Sequence, residues 1–222
     1  MKRLLAPLLL LAGLGLASLA SAADYDRLDN PQPPKAEPGR VVVQQFLWHR
    51  CIHCYHLEPE VERWLSQSKP DFIDFERVPV VWDRAQFDQS GYYGLAKVLL
   101  ARGELDAADA ETINSKLFDL TFVHKKDLNS GNVQPLFAEH GIGSAAELDK
   151  RLAQPDVEAE RVRAYELTRN YRISGVPLFV VNGRYLVGLD TLEGERSPER
   201  LFATINRLAG QELRRTENST GN

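Results

Sequence analysis

The sequence predicts an α/β fold in which a block of helices interrupts a β-containing domain. Three observations predict it: a strand–helix–strand pattern begins at residue 41, residues 85–155 are rich in helix-forming residues, and strand patterns return from residue 176. Continuous apolar runs are typical of buried strands, and apolar residues spaced three or four apart are typical of helices. The predicted division is an extended arm at 23–40, a β-containing domain at 41–84 and 156–213, an inserted helical domain at 85–155 and a disordered tail at 214–222.

The first 22 residues have the pattern of a secretory signal peptide. Lys2 and Arg3 precede an apolar stretch, and Ala20-Ser21-Ala22 is a small-residue cleavage site. We expect export and cleavage after Ala22. A retained N-terminal anchor is the alternative, but the apolar stretch is short for a membrane span.

The composition of the remaining chain excludes several functions. Without residues 1–22, the chain has 25 Lys and Arg against 31 Asp and Glu, a net charge of −6. An acidic chain without a basic stripe is not expected to bind nucleic acid. No later apolar segment approaches the roughly 20 residues that a membrane span needs, so the mature protein is predicted to be soluble.

The first half of the chain leads to the most informative motif. The polar, proline-rich arm at 23–40 is predicted to be extended and unpacked. Val41–Trp48 is predicted to be a buried central strand. A helix follows from about Cys54, with a kink at Pro59, and Phe72–Trp82 is predicted to be a second strand.

The second half continues with helices and then returns to strands. The predicted helices are Tyr92–Arg102, Ala107–Phe118, Ala145–Leu152 and Asp156–Tyr171. Val176–Val181 and Arg184–Val187 are predicted strands joined by a two-residue turn at Asn182-Gly183. Ser197 is a candidate cap for a final helix that ends near Leu213.

The only two cysteines of the chain form the motif Cys51-Ile52-His53-Cys54. As a crosslink, so short a ring removes little entropy from the unfolded chain. Exported proteins that are stabilised by disulfides normally distribute them through the sequence. The spacing therefore indicates a thiol–disulfide redox centre, with an inert structural bridge as an alternative.

The position of the motif predicts different roles for its residues. At the start of a helix, unsatisfied backbone N–H groups and the helix dipole favour the thiolate of Cys51. His53 can add charge or a hydrogen bond, and Cys54, one turn inside the helix, is expected to be buried. A lower thiol pKa makes Cys51 a better leaving group.

A haem site or a metal site fits the motif less well than a redox centre does. A c-type haem site requires a histidine after the second cysteine, where this chain has Tyr55. A zinc ion could recruit His49, His53 or His56, but such closely spaced ligands are difficult to arrange as a tetrahedron. We therefore predict no metal, and we expect His49 and His56 to be exposed surface side chains.

Read in order, the motifs resemble those of the DsbA family of bacterial periplasmic disulfide oxidoreductases. The resemblance is carried by Phe46–Tyr55, Arg77–Trp82 and Gly175–Gly183, and it extends from about Val41 to Leu208. It implies an α/β, thioredoxin-like fold with an inserted helical subdomain, and a periplasmic location. On local sequence alone Pro177 is an ordinary trans proline, whereas the resemblance implies a cis proline.

The resemblance also implies a role for each site residue. Cys51 would be the nucleophile with His53 stabilising its thiolate, and Cys54 would be the resolving cysteine. Val176 and Pro177 would bind an extended substrate chain through the backbone of Val176. Family members oxidise reduced or unfolded exported proteins and are reoxidised by a quinone-linked membrane partner. That cycle needs no bound cofactor, and we expect a monomer.

Two residues depart from the family pattern and are expected to tune the site. Ile52 stands where the family usually has proline, and Gln45 stands where it has a buried acid, six positions before the first cysteine. Glutamine cannot take up a proton, so we expect slower substrate release. Water, Glu58 or Glu76 would have to replace the acid.

The predicted function is a thiol:disulfide oxidoreductase that donates its Cys51–Cys54 disulfide through a mixed disulfide. A reductase or isomerase-type relay is one alternative. Isomerases of this type generally add a dimerisation domain, for which residues 23–40 are too short. The other alternative is a redox-inactive module that binds a metal or a peptide.

Overall fold

The computed structural model describes residues 24–220. The predicted signal peptide and its predicted cleavage after Ala22 lie outside these residues, as do residues 221 and 222. Within residues 24–220, no helix is long and apolar enough to cross a membrane.

A five-stranded mixed sheet forms the centre of the molecule. Its strands are β1 (Asp26–Arg27), β2 (Val41–Leu47), β3 (Ile73–Pro79), β4 (Leu178–Val181) and β5 (Tyr185–Val187), in the order β1-β5-β4-β2-β3. Strands β2 and β3 are parallel, and the other neighbours are antiparallel. Every residue of β2 is buried, which confirms the predicted central strand.

Within residues 24–220, seven α-helices surround and extend this sheet. They are α1 (Ile52–Gln67), α2 (Arg84–Ala101), α3 (Ala107–Phe122), α4 (Ser130–Val133), α5 (Ala145–Leu152), α6 (Pro155–Asn170) and α7 (Pro198–Thr220), with short 3-10 helices at Gln134–His140 and Leu189–Thr191. The side chains of Asp83, Asp106 and Ser144 accept backbone N–H bonds and so fix where α2, α3 and α5 begin.

Four apolar clusters hold these layers together in the part of the chain that the structure describes, and the smallest, with Leu47, Cys54 and Phe118, joins β2, α1 and α3. Helices α1 and α7 cover one face of the sheet, and α6 covers the other. A separate core lies among α2 to α6. Helix α6 packs along α2 and also places Ala164 in the core of the sheet. The predicted α/β fold with an inserted helical block is confirmed.

The N-terminal arm is extended, but the expectation that it is unpacked is wrong. Its strand β1 pairs with β5, and the ring of Tyr25 meets that of Tyr185 edge-on, with centroids 5.2 Å apart. Gln32 donates its backbone N–H to the Gly183 carbonyl at 2.9 Å. A Cβ on Gly183 would lie 2.0 Å from the Gln32 carbonyl oxygen, so this close approach depends on glycine.

Several element boundaries also differ from the prediction. Helix α1 begins at Ile52, ahead of Cys54, and β3 ends at Pro79, because its partner β2 ends at Leu47. The final helix does not stop at Leu213 before a disordered tail at 214–222; the structure extends it to Thr220. An ion pair between Glu212 and Arg215 supports the added turn.

Candidate active site

The two cysteines lie where the central strand turns into helix α1. Cys51 is the residue before the helix and donates its backbone N–H to the Trp48 carbonyl at 2.8 Å. Its side chain is half-buried, and Cys54 is fully buried one turn later. Both residues are free thiols in this structure.

The surroundings of Cys51 favour its thiolate. The pKa of its thiol is lowered to about 6, and the largest cause is a hydrogen bond from the Cys54 thiol. Backbone N–H groups of Cys54 and His53 at the helix start add to the effect, against the opposing effect of burial. The charge of His53 contributes less than these bonds, so His53 is a minor cause of the shift.

Cys54 is shifted in the opposite direction. Burial is the largest cause that raises the pKa of its thiol far above the ordinary value, and the neighbouring Cys51 raises it further. Cys51 therefore ionises while Cys54 stays protonated. This asymmetry suits a pair in which one sulfur meets the substrate and the other stays in the protein.

The second predicted motif lies beside the cysteines. The Val176–Pro177 peptide bond is cis, which confirms what the resemblance implied. The Cys51 thiol donates to the Val176 carbonyl oxygen at 3.5 Å, across 125 residues of sequence. A groove of about 600 Å³ runs from this pair past His53 and His56. The groove leaves backbone groups of Val176 beside the reactive sulfur.

One histidine is placed differently from the prediction. His56 and His53 are exposed, but His49 is buried, so the expectation that it is a surface side chain is wrong. Burial is the main cause that lowers its pKa to about 4. The neutral ring donates from Nε2 to Oδ1 of Asn114 at 3.0 Å and lies against Phe118.

His49 belongs to a buried polar network that the sequence did not predict. Asn114 donates to Glu58 at 2.9 Å, Glu58 forms a buried ion pair with Arg77, and Arg77 also pairs with Glu111 near the surface. Besides His49, which precedes α1, the members come from α1, β3 and α3, so no local pattern could have connected them.

Gln45 is fully buried, as the position of the family's acid requires. It lies opposite Arg77 in the β2–β3 ladder, and neither polar atom of its amide has a hydrogen-bond partner among the described residues. Of the two proposed substitutes for the acid, Glu76 bonds to Gln44, whose side chain faces the other side of the sheet. Glu58 lies on the buried face of α1, one turn after Cys54.

The remaining site observations concern Ile52 and metal binding. Ile52 opens α1 with its side chain 41% exposed. Among residues 24–220, no cluster of three or more His, Cys, Asp or Glu side chains could hold a metal ion.

Fold and site together define a class of protein. A low-pKa thiol above a buried thiol, at a strand-to-helix junction beside a cis proline, defines a thiol–disulfide oxidoreductase of thioredoxin-like architecture.

Comparisons with known proteins identify the family. The model of the DSBA-like thioredoxin domain matches residues 42–197. The chain is 33% identical to the thiol:disulfide interchange protein DsbA of Burkholderia cepacia, over 85% of this chain and 88% of the relative. It is 30% identical to the thiol:disulfide interchange protein DsbA of Azotobacter vinelandii, over 81% of this chain and 78% of the relative. The chain belongs to the DsbA family and is a thiol:disulfide interchange protein with Cys51 and Cys54 as its cysteine pair.

Solved structures agree on the fold. Reduced DsbA1 from Neisseria meningitidis superimposes with a TM-score of 0.71 at 24% identity, over 91% of this chain and 99% of that one. DsbA from Pseudomonas aeruginosa superimposes with a TM-score of 0.65 at 21% identity, over 90% of this chain and 95% of that one. The predicted thioredoxin-like fold with a helical insertion is confirmed.

Proposed function

We propose that this protein is a periplasmic disulfide donor for reduced or unfolded exported proteins. The observation that carries the proposal is the opposite ionisation of the two thiols, with the pKa of Cys51 lowered to about 6 and that of Cys54 raised. Stabilising the reduced form of a dithiol makes its disulfide more oxidising. The signal peptide pattern in residues 1–22 supports the location.

The proposed reaction has two exchange steps. A substrate thiolate attacks Sγ of Cys51 and breaks the Cys51–Cys54 bond, and Cys54 leaves as a thiolate that takes up a proton. A second substrate thiolate then attacks the substrate sulfur of the mixed disulfide and releases Cys51 as a thiolate. The substrate loses two electrons, and the protein becomes a dithiol. A quinone-linked membrane partner would reoxidise it, as the resemblance implies.

The other site residues are proposed to support these steps. The backbone of Val176, beside Pro177, pairs with the substrate chain and holds its sulfur near Cys51. His53 and the backbone at the helix start stabilise the leaving thiolate. Ile52 and Gln45 tune the potential and the rate of release. The cycle uses no bound cofactor and a monomeric protein.

The reduction potential tests this proposal. The mature protein, residues 23–222, would be equilibrated in glutathione buffers, and its thiols would be trapped with acid and counted by mass spectrometry. We expect a potential close to the strong-oxidant end of the known range, about −120 mV. A potential near the thioredoxin value, about −270 mV, would overturn the donor assignment and favour the reductase or isomerase alternative.

A further inference from the structure

We propose that the redox site selects client segments that carry an acidic residue close to the reacting cysteine, and that the loop Val123–Lys126 binds this residue. We call these four residues, which follow α3, the basic loop. The inference rests on the proposed function, because it concerns which clients reach Cys51. The recognition chemistry is a carboxylate on an otherwise apolar, unfolded chain.

The basic loop is fixed beside the cysteines at both ends. At its start, the ring of Phe122 stacks on that of Tyr55 with centroids 5.0 Å apart. Just past its end, the Asp127 carboxylate accepts a bond from the Arg50 guanidinium at 3.0 Å. Arg50 immediately precedes Cys51. Tyr55, Phe122 and Cys51 pack in the same apolar cluster, so the loop lies close to a chain bound at Cys51.

Two exposed apolar side chains adjoin this cluster in the sequence, because Ile52 follows Cys51 and Val123 follows Phe122. Six large apolar side chains are exposed among the described residues, and Val123 and Ile52 are two of them, at 55% and 41%. Exposed apolar groups beside a reactive centre offer a contact to unfolded chains, which expose apolar side chains of their own. Val123 and Ile52 thus supply affinity that does not depend on charge.

The charge of the basic loop differs from that of the whole protein. Lys125 and Lys126 are exposed and form no ion pair among the described residues, and His124 is exposed beside them. Asp127 is already paired with Arg50, and the preceding acid in the sequence, Asp119, lies in α3. The full chain has a net charge of −4, so this loop attracts an acidic client residue that the net charge of the protein repels.

The opposite rim of the site does not share this charge. There the groove beside Pro177 is lined by Asp26 and Asp190 as well as Arg172. An acidic client residue therefore gains most when the chain places it toward the basic loop. Selection should depend on which side of the client cysteine carries the acid.

The test uses matched reduced peptides and the oxidised mature protein. Each peptide has one cysteine, one apolar neighbour, and Glu, Gln or Lys two positions before or after the cysteine. Mixed-disulfide formation is followed by acid quench and mass spectrometry. We expect the better Glu peptide to react roughly threefold to tenfold faster than its Gln counterpart at low salt, as expected for exposed charge pairs. Salt should remove this advantage.

A pair of matched variants tests whether Lys125 and Lys126 cause the Glu preference. Lys125→Gln/Lys126→Gln should abolish the Glu preference, so that the Glu and Gln peptides react at equal rates with this variant. The control Lys35→Gln/Lys150→Gln removes two exposed lysines elsewhere and should keep the preference. Equal rates for Glu, Gln and Lys peptides, or a preference that survives the first variant, would overturn the inference. If even the Gln peptides form no mixed disulfide with Cys51, the proposed function itself fails.

Discussion

At the residue scale, burial separates two thiols that lie one helix turn apart. Cys51 meets backbone N–H groups at the helix start, and Cys54 lies in the apolar cluster with Leu47 and Phe118. The same hydrogen bond from Cys54 that lowers the pKa of Cys51 raises that of Cys54 itself. The order of deprotonation therefore follows from position in the helix, and it does not require a strong contribution from His53.

His49 should make the folded protein sensitive to acid. Its folded-state pKa of about 4 lies below the ordinary 6.5, so the unfolded chain takes up this proton first as the pH falls. The free energy of unfolding should decrease by about 3 kcal/mol between pH 6.5 and pH 4, with no further loss from this group below pH 4. Urea unfolding at a series of pH values measures it.

The replacement His49→Gln keeps a donor for Asn114 but cannot titrate. Between pH 6.5 and pH 4, the free energy of unfolding of this variant should decrease less than that of the wild type. The exposed control His56→Gln should show the same decrease as the wild type. Identical pH dependence in His49→Gln and the wild type would show that His49 does not cause the acid loss.

Gln45 is predicted to limit the release of substrate. A carboxyl group at this buried position could be held by Arg77 across the ladder and could give a proton to the Cys54 thiolate that leaves in the first step. Protonated Cys54 would not reverse that step before the second substrate thiolate releases Cys51, so Gln45→Glu should speed turnover, by up to roughly 100-fold. Stopped-flow turnover of a dithiol peptide measures it.

The control for this replacement is Gln45→Leu, which removes the unpaired amide without adding an acid. A rate gain in Gln45→Glu that depends on pH, and is absent in Gln45→Leu, supports the proton-transfer role. Unchanged turnover in Gln45→Glu contradicts it.

At the scale of elements, the N-terminal arm depends on one glycine. Gly183 has φ +60, and an added Cβ would meet the Gln32 carbonyl. Gly39 also has a positive φ, of +78, but open space around it. Gly39→Ala should therefore lower the free energy of unfolding by only the cost of placing alanine at a positive φ, roughly 1–2 kcal/mol. Gly183→Ala should lower it by more, because of the added steric clash. Hydrogen exchange at the Gln32 amide should rise only in Gly183→Ala; equal exchange in both variants would contradict this role of the arm.

Local patterns predicted the elements that depend on local chemistry. The apolar run of β2, the proline at the start of α7 and the Asn182-Gly183 turn all carry their structure in neighbouring residues. The arm could not be predicted to pack, because its partner β5 is far away in sequence. The proposed domain boundary near residue 155 remains a prediction, since α6 packs on both α2 and the sheet.

The candidate site also contains residues that the sequence identified and residues that it did not. The cysteine spacing identified Cys51 and Cys54 from sequence, and the resemblance added Pro177. The burial of His49 was missed, because it depends on Asn114 of α3, which lies in the inserted block. Side chains of a network from three elements have no common period in the sequence.

At the scale of the whole molecule, this network joins the inserted helices to the sheet beneath the redox site. Arg77 of β3 pairs with Glu58 of α1 and Glu111 of α3. Burial opposes its charge, but the two carboxylates keep its pKa above the ordinary value. The inserted block thus contributes Glu111, one of the two carboxylates that compensate the buried positive charge of Arg77.

Removing Arg77 should therefore destabilise both parts of the molecule together. Arg77→Met leaves the Glu58 carboxylate buried without its partner, and breaking such a pair costs roughly 3–5 kcal/mol. The double variant Arg77→Met/Glu58→Leu removes both charges and should regain most of this loss. Urea unfolding of the oxidised protein, followed by tryptophan fluorescence and circular dichroism, should give one coincident transition in each variant. A double variant as unstable as Arg77→Met would mean that packing of the arginine stem, and not its charge pairing, stabilises this junction.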